Sequence, residues 1–550
     1  MKAMRKGAAR AALLSGIFGL SACGARTGLD AGPPLPPPPE CLIDADCPTY
    51  GDLCNPVKCV PIPVEADAGA DAGAAKGGTC EELPKVDCND NDPCTTDKCT
   101  AETGACSYQI ATLDLDADGY RGPIPGTIAG EVGSCGDDCD DSNENAHPGG
   151  VEICDGVDND CNGIVDDNAT FIPLSGEVVV SSTGLQPASP GGLAWSGNVY
   201  ASLYSGKSSG NRVYLSMLTP SGGKVTPPGE APFTFVNADA YAGPTVWVGD
   251  RFGVIWQDRR ANNNYQIFFS LLGEDGAKKL ADTQVSFDED GVVGAVNPAM
   301  TWNGSEFLVA WQLAPQGIYN VFATRLAVDG TALGSPLALT TSDNGLGNEA
   351  PSIAAGKDGV GVAWFLGDAL SKIISFQIFS TDLTKSVIPP ITLTDGTTNS
   401  VYPTVIWNKD RYIVAWADWS ASPKAIYAAA IGPDGTMLVP PKPITNPGKF
   451  RSRWPHLKAL GDRLLVVYSD DRDDQNAGYE IYSRMISNEL TSIGSEQRIT
   501  NAVGDSLHPL ASFGPDGNIG VLFRDDRQGQ QDVWFTRLGC VAGGPPPPNP

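Results

Sequence analysis

Histidine is scarce in this chain. His147, His456 and His508 are the three it has in 550 residues, and they lie in distant segments. That argues against a histidine-built catalytic centre or zinc site. Basic residues are also few, 37 Lys and Arg against 65 Asp and Glu, for a net charge of −28. No Lys/Arg cluster exists for a phosphate backbone to engage, which excludes nucleic acid as a partner. Long apolar runs are missing. The one near the start, Ala11 to Leu20, is too short to span a bilayer. There is no Gly-x-Ser-x-Gly elbow, no His-Glu-x-x-His and no phosphate loop.

The N-terminus reads as a targeting segment, with Lys2, Arg5, Lys6 and Arg10 ahead of the apolar run. Leu20-Ser21-Ala22-Cys23 resembles a bacterial lipobox, which implies lipid modification of Cys23 and a membrane partner through that anchor. Gly24 follows in place of Asp; by analogy with Gram-negative sorting this points to the outer membrane, on its periplasmic or extracellular face. Cysteine use agrees with export. Of 15 cysteines, thirteen fall between Cys41 and Cys161 and one, Cys540, closes the chain's last repeat. Such density predicts a disulfide framework, and the odd thirteen predicts that Cys540 bridges back toward the N-terminal region.

The expected organisation follows composition. Residues 1–23 form the signal peptide, 24–40 a Pro-rich tether and 41–107 two Cys-rich knots, at 41–59 and 80–107, joined by a flexible linker at 62–79. Residues 108–170 are an acidic module, 171–540 a repeat array and 541–550 a Pro-rich tail.

The array carries an aromatic at the end of an apolar strand, at intervals of 52 to 55 residues: Tyr204, Trp256, Trp311, Trp364, Trp416, Tyr468 and Phe523. Seven residues earlier sits a turn residue, such as Gly197, Gly249, Gly304, Lys409 or Gly461; nine earlier, four copies carry Trp195, Trp247, Trp302 and Trp407. Each repeat reads as four short strands with period-two alternation. In the fifth these are Pro403–Trp407, Tyr412–Trp416, Ile426–Ile431 and Lys442–Thr445. The last repeat lacks a fourth strand, and a spare strand at Glu177–Ser182 can complete it. The fold predicted is mainly β, a seven-bladed propeller preceded by small disulfide-rich and calcium-binding modules.

Residues 111–168 hold fifteen acidic side chains against Arg121 alone. Unless a cation neutralised it, such crowding would repel itself. Two stretches have calcium-loop spacing: Asp114-x-Asp116-x-Asp118-Gly119-Tyr120, and Asp158-x-Asp160-x-Asn162-Gly163 followed by Asp166 and Asp167. In neither is there a bidentate Glu at position twelve, where Pro125 and Ala169 stand, so each must borrow ligands. Asp138, Asp140, Asp141 and Asp155 are the candidate donors. The run Asp138-Cys139-Asp140-Asp141, His147-Pro148-Gly149 and Glu152-Ile153-Cys154-Asp155-Gly156-Val157-Asp158-Asn159-Asp160-Cys161, with the first loop before it, resembles the MopE-type metal-binding motif of secreted bacterial proteins. The resemblance implies metal binding, with copper associated with the family prototype. The hard oxygen donors themselves point to Ca²⁺.

In the blades, Asp258, Asp418, Asp470 and Asp525 follow the aromatic anchors by two residues, and Arg260, Arg472 and Arg527 follow by four. The Asp-x-Arg pairs could form a ligand face or tie their own turns, and the per-blade repetition favours the second. Trp419, beside Asp418, breaks the pattern and could anchor a ligand. The Ser-x-Asp-x-Gly-x-Thr-Trp box of sialidases is missing, so a non-catalytic protein is expected. It would be a monomeric surface lipoprotein whose propeller binds an extracellular protein or glycan. The alternatives are metal capture by the acidic motif, or polysaccharide hydrolysis or lysis through pairs such as Asp470-Asp471 and Asp525-Asp526.

Overall fold

The computed structural model describes residues 41–61, 78–110, 112, 114–152, 157–163, 170–174, 176–181, 188–207, 210–225, 230–234, 239–260, 264–287, 294–315, 317–342, 345–367, 371–397, 399–419, 424–446, 451–472 and 478–541. The expected signal peptide, Cys23, the tether and the tail from Ala542 lie outside them. Among the described residues the regular structure is β-strand apart from two 3-10 turns, Asp44–Asp46 and Pro515–Gly517. No helix among them is long and apolar enough to cross a membrane. The chain divides into one unit ending at Ala111 and a second beginning at Thr112.

In the first unit, Val57–Pro61 pairs with Gly78–Glu82, and Thr95–Cys99 with Cys106–Ile110. Isolated two-stranded ribbons are marginal in water, and disulfides supply what the small core does not. Cys41–Cys59 and Cys88–Cys106 close each half, while Cys47–Cys80 and Cys54–Cys99 cross between them. The expected pair of separate knots is therefore one cross-linked module. The Cys54–Cys99 bridge spans 45 residues, a loop whose closure removes about 4 kcal/mol of unfolded-chain entropy in the chain-entropy model. Gly78 and Thr79, expected in the linker, belong to the second strand, and a Cβ at Gly78 would sit 2.6 Å from the Val60 carbonyl.

The second unit contains a seven-bladed propeller. Blades one to six are four-stranded antiparallel sheets in sequence order, from Ser189–Trp195 in blade one to Ser492–Arg498 in blade six. Blade seven comprises Ser506–Phe513, Ile519–Asp525 and Asp532–Val541. Its outer edge is completed by Thr170–Pro173, against Val541 to Leu538, and by Val178–Val179, against Trp534 and Phe535. The ring closes as expected, with Thr170–Pro173 as the longer contributor. In blade five the fourth strand is Met437–Pro443, earlier than the expected Lys442–Thr445, because pairing resumes directly after the Asp434-Gly435 turn.

The apolar core lies between the blades. One cluster fills each interface, including Tyr200 and Tyr204 of blade one against Leu522, Val533 and Phe535 of blade seven. All seven anchor aromatics are buried. The four preceding tryptophans pack on the first aromatic of the next strand, with Trp195–Tyr200, Trp247–Phe252, Trp302–Phe307 and Trp407–Tyr412 centroids 4.5 to 4.8 Å apart. Between them the turn glycines adopt left-handed φ, as at Gly249 (102°). In blade five Lys409 is held at 52° in their place.

Candidate functional site

The Asp-x-Arg pairs lie where the second strand of a blade ends, opposite the start of the first; Asp258 pairs with Ala240 and Asp525 with Ser506. Asp258, Asp470 and Asp525 are each 1% exposed. Arg260 Nε donates to Asp258 at 2.7 Å, Arg472 Nη2 to Asp470 at 2.8 Å and Arg527 Nη2 to Asp525 at 2.6 Å. Each arginine then reaches a second acid on the outer edge of its blade: Asp282 at 2.7 Å, Glu496, and Glu177. The pairs thus lock the second strand to the fourth. In blade seven the acid comes from the closing segment, so the same clamp joins the two ends of the ring. These carboxylates are buried in internal pairs. Burial alone would raise Glu496, but hydrogen bonds from Arg472 and Tyr468 and the charges of Arg472 and Arg484 hold it below the ordinary glutamate range.

Asp418 keeps the buried position, while Trp419 next to it replaces Asp471, Asp526 and Arg259 of the equivalent blades and packs on Tyr402, centroids 5.4 Å apart. Tyr402 exposes a recurrent feature that the strand-period reading missed. Every innermost strand carries a β-bulge. In five blades the bulged residue is a non-glycine with left-handed φ, namely Asn297, Ala350, Tyr402, Trp454 and His508. The signal was an X-Pro dipeptide opening each of six repeats, from Gly243-Pro244 to His508-Pro509. These residues stand at one mouth of a central channel of about 760 Å³, whose wall includes Pro244, Pro298, Pro351 and Pro403. His456 and Lys458 are the titratable residues among the described ones lining the channel, and none of those is a carboxylate. Burial pulls Lys458 down to about 8, and burial with the Lys458 charge pulls His456 down to about 3.

In the acidic segment, two loops share one backbone. Ala117 and Gly119 have φ of 67° and 101°, and Cys161 and Gly163 have 57° and 88°. In each loop the glycine N–H donates to the first aspartate, Gly119 to Asp114 at 3.2 Å and Gly163 to Asp158 at 2.7 Å. Around the first loop two sets of carboxylates have ligand atoms within 4.8 Å: Asp114, Asp116 and Asp141, and Asp116, Asp118 and Asp138. Around the second stand Asp158, Asp160 and Glu152. Glu152 was missed as a ligand candidate, although it lies within the motif; it is buried and its Oε1 accepts from the Asp160 N–H at 2.9 Å. Asp140 turns aside to Ser142, 2.7 Å away. Asn162 donates its backbone N–H to Asp158 and Asp160. Tyr120 donates its backbone N–H to Asp118 at 2.8 Å and stacks its ring on His147 at 4.7 Å. Asp155, Asp166 and Asp167 lie outside the described residues.

Residues 138–167 match the MopE-type motif. The family model is Cu-binding_MopE, a "Putative metal-binding motif". No curated protein matches the chain in sequence. Solved structures show a distant likeness. A protein of unknown function from Dyadobacter fermentans DSM 18053 is 12% identical over 68% of this chain and 100% of its own, with a TM-score of 0.42. Phage phi92 endosialidase is 10% identical over 70% and 71%, at 0.40. An endo-arabinase from Bacteroides thetaiotaomicron VPI-5482 is 11% identical over 44% and 92%, at 0.31. At these values the likeness carries no argument about what this chain does, and the propeller rests on its own strand topology.

The MopE-type segment is chemically fit for a cation. Asp116, Asp118 and Asp138 each bury an Oδ2 that receives no hydrogen bond among the described residues, and a buried carboxylate oxygen without a donor is costly. Asp138 is fully buried, and burial with the neighbouring Asp118, Asp116 and Asp141 charges raises its pKa above the ordinary range. A divalent cation among these groups would reverse that penalty. Sulfur is withdrawn from the donor set, since Cys139 and Cys161 are disulfide-bonded to each other.

Proposed function

We propose that this chain is a non-catalytic binding protein of the cell envelope, lipid-anchored through Cys23, in which a calcium-held acidic segment accompanies a propeller that engages an extracellular protein or glycan. The observation that carries the metal part is the trio of buried, donorless oxygens on Asp116, Asp118 and Asp138. An all-oxygen cluster of this kind suits Ca²⁺ better than copper. The non-catalytic part is supported by the Asp-x-Arg carboxylates being used in internal clamps and by no carboxylate lining the channel among the described residues.

Calorimetry of Ca²⁺ and Cu²⁺ on the full oxidised chain tests the metal reading. Saturable calcium binding with Kd of roughly 10⁻⁶ to 10⁻³ M, weaker for copper, is expected. Tighter copper binding would favour the second reading, metal capture, which the family's copper designation motivates. Retention of the immobilised full chain on glycan and peptide arrays tests the propeller part; no retained ligand of either kind would overturn it.

A further inference from the structure

One sector of the channel mouth differs from the rest. At the bulged position blades one to four present Gly191, Gly243, Asn297 and Ala350, and blades five to seven present Tyr402, Trp454 and His508. Holding residues this large at φ of 50° to 54° costs on the order of 1 kcal/mol each. Bulges often serve to re-aim side chains at a site. The rings form a continuous arc. Tyr402 lies 5.4 Å from Trp419 and 5.9 Å from Trp454, and Trp454 lies 4.1 Å from His508 and 6.1 Å from Tyr479.

Into this arc blade six sends Arg453. Its guanidinium lies 4.3 Å from the Trp419 centroid, 5.4 Å from Tyr479 and 5.6 Å from Trp454. Neighbouring Arg451 is paired with Asp471 at 2.7 Å. Arg453 has no such acid among the described residues, in a protein with 65 of them. Arg524 stands near His508, and burial lowers its pKa despite Asp505 and Asp526 nearby. Four buried donors of the arc also have no acceptor among the described residues: Arg453 Nε, Trp419 Nε1, Trp454 Nε1 and the Tyr479 hydroxyl. The sector is therefore aromatic, holds donors that no described residue satisfies, and is supplied with a guanidinium that no acid among the described residues pairs.

We propose that the Tyr402–Trp419–Arg453–Trp454–His508 arc is a binding site for an acidic saccharide, in which sugar rings stack on the aromatic faces and a carboxylate is received by Arg453. The inference rests on the binding reading of the propeller and names its ligand class. A saccharide fits better than an acidic peptide because its flat C–H faces match the aromatic rings of the arc. Aromatic faces and guanidinium forks supply these contacts. The asymmetric placement on three blades is how a function is grafted onto a repeat.

The test is tryptophan-fluorescence titration of the full chain with oligogalacturonate and with its methyl ester, which keeps the sugar and removes the charge. Expected are saturable quenching by the acid, at least tenfold weaker binding of the ester, and at least tenfold weaker acid binding in Arg453→Met. Tyr402→Ala is a second variant that spares Trp454, and is expected to weaken both ligands. Equal binding of acid and ester, an unaffected Arg453→Met, or no quenching by either would overturn the assignment. Retention of a neutral glycan or a peptide in the array experiment would then leave the broader binding reading intact, whereas an empty array would remove it as well.

Discussion

Arg527 holds the ring shut. Its Nε and Nη2 donate to the two oxygens of Asp525 at 2.8 and 2.6 Å, and its Nη1 donates to Glu177. Asp525 is 1% exposed, and Glu177 adjoins the Val178–Val179 segment that pairs with blade seven. Replacing Arg527 by Met keeps the stem and removes the charge. Asp525 would retain the Ser506 hydroxyl at 2.7 Å and the backbone N–H of residue 527 at 2.8 Å. Removing one partner of a buried ion pair costs about 3–5 kcal/mol, and these retained donors place the loss near the lower end, about 3 kcal/mol. The Glu177 contact, more exposed, adds about 0.5 kcal/mol. Arg260→Met is the matched control, because its second acid, Asp282, belongs to the same blade. Urea denaturation and hydrogen exchange of the full chain separate the two. Both variants should lose about 3 kcal/mol, but only Arg527→Met should accelerate exchange in Thr170–Pro173 and along Asp532–Val541. Equal seam protection in both variants, or a loss under about 1 kcal/mol in Arg527→Met, the level of an exposed pair, would refute the clamp.

Other expectations are direct. Asp138→Asn should weaken calcium binding at least ~10-fold in calorimetry, since it replaces the most buried carboxylate of the first loop. Lys409→Gly should stabilise the protein by about 1 kcal/mol in denaturant, because Lys409 has a φ of 52° at a turn that uses glycine in other blades. Glu496 is held below its ordinary value of 4.5 by Arg472, Tyr468 and Arg484 despite burial. Its contribution is therefore present above that value and is lost as pH falls through the lower folded one. Glu496→Gln should flatten the acid limb of the stability profile below about pH 4.5.

What could be read from the sequence divides along physical lines. The seven blades were legible because one aromatic must fill the same interface every turn of the repeat, and Trp256 or Tyr468 cannot be moved without leaving a hole. That a segment ahead of the first repeat closes the ring was legible because Asp532–Val541 otherwise ends it with unpaired groups, but of the two closing strands only Val178–Val179 fell within the expected Glu177–Ser182, and the longer Thr170–Pro173 did not. Joining of the two Cys-rich segments was not, since spacing says nothing about whether Cys47 meets Cys59 or Cys80. Among the loops, Asp114, Asp116, Asp118, Asp158 and Asp160 carry their geometry in their spacing, whereas Glu152 joins Asp158 and Asp160 from outside the calcium-loop spacing.

The propeller face shows the same division more sharply. Asp-x-Arg stood out because it repeats, and the repetition marks a shared structural device: in blades two, six and seven it clamps the second strand to the fourth. The arc around Arg453 was hidden because nothing in it repeats. Tyr402, Trp454 and His508 occupy one structural position with different side chains, and Trp419 and Arg453 replace residues of other character in the neighbouring blades. In a repeat protein, scaffold is written in what the copies share and recognition in where one sector departs from them. The departures here are an uncommon backbone conformation, large aromatics held in it and an arginine that no acid among the described residues pairs, and they meet on blades five, six and seven at one mouth of the channel. A ligand approaching that mouth would meet chemistry that the rest of the rim does not offer.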